Sequence, residues 1–167
     1  MLLWATLVGL LAAVAWQDFR GRSVYALLFP SLVVIAVVHA MMLDVFSPAA
    51  VAANLAILAV QLIVLNLVMY WRKRAWLMQG EQWMGWGDVA FFVVLAFCFS
   101  TFNFVLFYVA SLLVVLLGAL LAMAFGVRVA TIPLAGGQAA LLVLLLLADG
   151  THLGRHLYVD AGFIPYF

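Results

Sequence analysis

From Val89 to Phe125 the chain runs for 37 residues without one charged side chain. A single α-helix of that length would be a rod of about 55 Å, and an apolar bilayer core is only ~30 Å thick. The run must therefore be broken, and the polar residues Ser100, Thr101 and Asn103 mark the turn. Further apolar stretches flank it, so the pattern predicts six helices, at roughly 1–17, 24–43, 50–71, 87–101, 104–125 and 129–148. Each must be helical, because backbone groups in hydrocarbon have to find their partners within their own segment.

Composition agrees. Of the 167 residues 71% are hydrophobic and 8% charged, which is outside the range of soluble domains. The expected fold class is an all-α membrane protein, a polytopic bundle of six transmembrane helices in one domain over 1–167, with an outer tail at 149–167. Net charge is +1, so no bulk field points to nucleic acid. The one cysteine, Cys98, excludes an intrachain disulfide and a four-cysteine zinc site. Ala13-Val14-Ala15 resembles a signal cleavage site, but no basic region precedes the apolar run, which disfavours a cleaved leader.

The basic residues gather in Arg20 and Arg22, in Arg72, Lys73 and Arg74, and in Arg128, three loops that six helices place on one side. The positive-inside bias makes that side cytoplasmic and both termini outward, with Arg155 opposite. Asp44, Asp149 and Asp160 fall in outer turns or the tail, where solvation by water accounts for them. Asp18, ending the first helix, and Asp88, opening the fourth, are different. They are 70 residues apart and the chain between them crosses the membrane twice, so both reach the same face, where ionisable groups usually mark a functional site.

Two carboxylates held close cannot both stay ionised, and a pair sharing one proton meets the requirement of aspartic peptide hydrolysis. One member takes a proton from water while the other polarises the scissile carbonyl. Within Gly85-Trp86-Gly87-Asp88, Gly85 and Gly87 lack a Cβ and allow close approach of an extended substrate. Glu81 is a candidate substrate contact for a basic segment, although a solvated loop carboxylate explains it equally.

Three segments together resemble the prepilin (type IV leader) peptidases, intramembrane aspartic proteases of the GxGD type. They are Asp18-Phe19-Arg20-Gly21-Arg22-Ser23-Val24, Gly85 to Asp88, and Thr131-Ile132-Pro133-Leu134-Ala135-Gly136-Gly137. The resemblance implies that Asp18 and Asp88 are catalytic and that Pro133 lies near the substrate. It implies a bacterial cytoplasmic (inner) membrane protein that removes the short basic leader from prepilin or pseudopilin substrates for pilus or type II secretion assembly. No metal or cofactor is implied for that cleavage. Larger members carry a cytoplasmic region with paired CxxC motifs and also methylate the product; this chain, without such pairs, resembles the small peptidase-only form. Ala90 stands where the family commonly has lysine, and Leu134 and Ala135 where an aromatic residue and glycine are common.

Other polar residues have simpler readings. Asn54, Gln61 and Asn66 suit interhelical hydrogen bonds. His39, His152 and His156 lie at or beyond the outer face, remote from the aspartates. Trp76, Leu77, Met78, Trp83 and Trp86 suit an interfacial loop at headgroup level, and Arg72, Lys73 and Arg74 suit headgroup anchoring. Two alternatives stand beside the peptidase. A proton-coupled transporter would place its coupling acids near the midplane, often in repeated halves, and neither is visible here. A noncatalytic assembly protein would retain the fold, with Ala90 as its best support.

Overall fold

The computed structural model describes residues 1–73, 85–126, 132–149 and 154–160. Six α-helices follow one another: α1 Leu2–Gly21, α2 Leu28–Met42, α3 Pro48–Lys73, α4 Trp86–Cys98, α5 Thr101–Ala124 and α6 Leu134–Ala148, with a short 3-10 helix at Arg155–Tyr158. No strand occurs among the described residues. By length and composition α1, α3 and α5 are able to cross a membrane; α2, α4 and α6 are apolar but shorter.

Several boundaries differ from expectation, each for a local reason. α1 continues past residue 17 to Gly21 and closes at Arg22, in the left-handed region with φ 50°, whose N–H bonds the Asp18 carbonyl. Asp18 therefore sits inside the last turn. α2 starts at Leu28, four residues later than the pattern suggested. The break in the long apolar run falls at Phe99 and Ser100, both extended, but Asn103 belongs to the first turn of α5 rather than to the turn before it. α6 starts at Leu134 instead of 129: Pro133 caps it, and Ile132 and Pro133 are not helical.

α4 is the central element. Phe91, Phe92, Val94, Leu95, Ala96 and Cys98 are all buried, and α4 packs on α2, α3, α5 and α6. α1 lies along α6 in the most extensive helix pairing of the fold. α3 and α5 flank this core and turn Val60, Ile63, Val64, Leu113, Leu117 and Leu120 outward, an apolar surface suited to lipid.

Two amide side chains join helices. The Asn54 amide of α3 donates to the Ala96 and Phe99 carbonyls at 3.0 Å each, satisfying groups left open where α4 ends. The Gln61 amide donates to the Tyr108 hydroxyl at 3.0 Å, tying α3 to α5. Both fit the interhelical role expected of them.

At the end away from Asp18 the tail folds back onto the bundle. The Asn103 amide lies 3.0–3.1 Å from the carbonyls of His156, Leu157 and Val159. The Ser100 N–H donates to the Leu157 carbonyl, and the Asp160 carboxylate accepts from the Phe102 N–H in the first turn of α5. Asp149 is not solvated as expected. It pairs with His156 Nδ1 at 2.7 Å and is largely covered. His39 ends α2 at this same side but is buried, while Asp44 is exposed in its turn.

Candidate functional site

The start of α6 organises the site. In an α-helix the first four N–H groups have no intrahelical acceptor. Here the earliest helical bond runs from the Gly137 N–H to the Pro133 carbonyl, and Pro133 has no N–H to leave unpaired. Of the remaining donors two are taken by the aspartates: the Ala135 N–H donates to Asp88 Oδ1 at 3.0 Å and the Gly136 N–H to Asp18 Oδ2 at 2.6 Å. Consecutive Cα atoms lie ~3.8 Å apart, so two acceptors on successive amides are at most roughly 9 Å from each other. The two carboxyl groups are near enough for their charges to interact. Residues 70 apart in sequence thus meet at one helix terminus.

Electrostatics favour this arrangement. The peptide dipoles of α6 place about half a positive charge at its N-terminus, which stabilises anions there. Asp18 is buried and Asp88 half-buried. Close approach of Asp18 requires a residue without a side chain on α6: a Cβ at Gly136 would lie 2.8 Å from both Asp18 Cβ and Asp18 Oδ2.

Asp88 is held twice. It is the third residue of α4, and its Oδ2 reaches back to the Gly85 N–H at 3.3 Å, as an acidic residue in this position of a helix often does. Both of its oxygens therefore accept backbone N–H groups. Asp18 uses only Oδ2; among the described residues nothing bonds its Oδ1, which remains open to a water or a substrate group.

The two motif glycines differ. A Cβ at Gly85 would come within 3.3 Å of Asp88 Oδ2, whereas one at Gly87 would meet only Phe29 Cζ at 3.8 Å, an ordinary contact. Among the described residues a methyl group at Gly87 would therefore be accommodated without a clash. Pro133 is partly exposed at the α6 cap, next to the amides that hold both carboxylates. Ala90 is partly buried and packs against the core. Glu81 lies outside the described residues, as do Arg74, Trp76, Leu77, Met78, Trp83, Arg128 and His152. No group of three or more His, Cys, Asp or Glu side chains suited to a metal occurs among the described residues.

Two features went unread in the sequence. One is the pair of backbone amides at Ala135 and Gly136, signalled only by a proline followed by small residues. The other is Gln138, wholly buried one turn further along α6, whose amide donates to the Ser111 hydroxyl at 3.0 Å and so fixes α6 against α5. No protein-family model matches this chain, and no curated protein or solved structure matches it significantly.

Proposed function

We propose that the chain is a membrane-embedded aspartic endopeptidase that removes the short basic leader of prepilin or pseudopilin-like substrates. One observation carries the reading: the carboxylates of Asp18 and Asp88 converge on the successive amides of Gly136 and Ala135. A pair sharing one proton then acts on a water and a peptide carbonyl. The ionised carboxylate removes a proton as the water oxygen bonds the carbonyl carbon, while the protonated one hydrogen-bonds the carbonyl oxygen. As the C–N bond breaks, the leaving amine takes a proton from the pair, and the carboxyl groups exchange roles. The open Oδ1 of Asp18 supplies the place for that water.

In this reading all six helices cross a bacterial inner membrane. Arg20, Arg22 and Arg72 share the aspartate end, which makes that end cytoplasmic and the termini outward. α2, α4 and α6, with 15, 13 and 15 residues, are only about 20–23 Å long. They fall short of a ~30 Å hydrocarbon core, so water reaches the ends where the aspartates sit. The noncatalytic alternative draws on Ala90, and the same assay decides between the two.

The test is cleavage of a prepilin in liposomes. Asp18→Asn and Asp88→Asn should each abolish it while the protein stays inserted, because an amide neither accepts the proton nor cycles between acid and base. The double variant should lose no more than either single one, since groups acting as a unit are not additive. Asp44→Asn, at an exposed turn, should cleave normally. Normal cleavage by either catalytic variant would end the aspartyl mechanism.

A further inference from the structure

On the side of α1 turned away from Asp18 lies an open cleft of about 560 Å³, formed by the end of α1 and the segment leading to α2. Its polar lining is Trp16, Gln17, Arg20, Ser23 and Tyr25. All five side chains carry a hydrogen-bond donor, and none is acidic. The Arg20 guanidinium lies 5.9 Å from the Trp16 ring centroid and makes no ion pair among the described residues. The Gln17 side-chain oxygen Oε1 accepts the Tyr25 N–H at 3.0 Å, which ties the segment leading to α2 back to the end of α1 and shapes the cleft. Trp16 and Tyr25 are 66% and 76% exposed where the apolar helix ends, the placement of an interfacial aromatic belt.

Charge decides what fits. A basic peptide leader would be repelled by Arg20, whereas a phosphodiester matches a planar guanidinium fork flanked by neutral donors. Successive helix residues are turned by about 100°, so the turn that carries Asp18 inward to α6 carries Trp16 and Arg20 outward. We propose that this cleft binds the phosphodiester headgroup of an anionic phospholipid, which pins the height of the α1 turn bearing Asp18. The proposal rests on the membrane reading but not on peptidase activity.

The experiment uses the full chain in nanodiscs of phosphatidylcholine with a minor fraction of phosphatidylglycerol, followed by gentle delipidation and native mass spectrometry of the lipids retained. Wild-type protein should retain phosphatidylglycerol over phosphatidylcholine. Arg20→Gln should lower that preference on the order of tenfold or more, the effect of losing a charge-assisted bonded pair. Arg20→Lys should fall between, keeping charge without the fork. Arg22→Gln, an exposed neighbour outside the lining, should lose no more than about fivefold, the effect of one basic residue near an anionic surface.

Equal losses for Arg20→Gln and Arg22→Gln would mean diffuse surface attraction and overturn the cleft. Displacement of the lipid by millimolar inorganic phosphate would make it a general anion site and overturn the lipid assignment. Failure of wild-type protein to enter the nanodiscs would overturn the membrane reading and this proposal together. A protein that binds the lipid through Arg20 but never cleaves a prepilin supports this inference while defeating only the peptidase.

Discussion

Gly136→Ala should disable the site although the added group is a single methyl. The new Cβ would sit 2.8 Å from Asp18 Cβ, 2.8 Å from Oδ2 and 3.2 Å from Cγ. Carbon atoms rest ~3.5–4.0 Å apart, so about 0.7–1.2 Å of separation is missing. Rotating the Asp18 side chain relieves the contact with the oxygen but not the one with Cβ, which is fixed to the α1 backbone. Hence α6 and α1 must part, and the 2.6 Å bond from the Gly136 N–H to Asp18 lengthens to about 3.3–3.8 Å, where it is weak or lost. Overpacking of this kind costs ~1–3 kcal/mol of stability. A ~1 Å misplacement of a catalytic group costs about 100-fold in rate. The control is Gly137→Ala, whose Cβ would meet Val115 Cγ2 on α5, a side-chain methyl rather than either carboxylate. It should lower the thermal unfolding temperature and leave most of the activity. Prepilin cleavage in liposomes, paired with thermal unfolding in the same preparation, separates the two effects. Near wild-type cleavage by Gly136→Ala would refute the claim that the α6 amide positions Asp18.

Asn103→Ala should cost about 1–3 kcal/mol, because it removes an amide shared by three tail carbonyls, of which those of Leu157 and His156 keep the Ser100 and Val159 N–H groups. Thermal unfolding would show the loss, and limited proteolysis should cut the released tail first; an unchanged melting temperature would mean that the tail is not held through Asn103. Orientation is checked by cysteine labelling in intact cells, with the buried Cys98 contributing little background. A cysteine placed among Arg72 to Arg74 should be shielded from an impermeant outside reagent and one at His152 should be labelled, and the reverse pattern would invert the topology.

Long apolar runs and sparse charge were sufficient to specify helices, because only a helix satisfies its own backbone inside hydrocarbon. Alternation of helix direction was sufficient to expect Asp18 and Asp88 at one end of the bundle, since each acid stands at a helix terminus and alternation ignores the details of packing. The roles of Asn54 and Gln61 were legible for a similar reason: an amide within an apolar helix has few partners besides the neighbouring helices. What α6 does was not legible. Its contribution to the site is two backbone N–H groups, which every residue except proline carries, so no side chain announces them. Only the start of α6 at Leu134, five residues later than apolar periodicity suggested, frees those donors, and only the close approach of α1 to α6 shows why position 136 has no side chain. The covering of Asp149 by His156 and the grip of Asn103 on the tail likewise depend on where the chain returns. Apolar periodicity is a local property and survives in the sequence. A hydrogen bond between residues 118 apart is a property of the packed bundle and is decided only there.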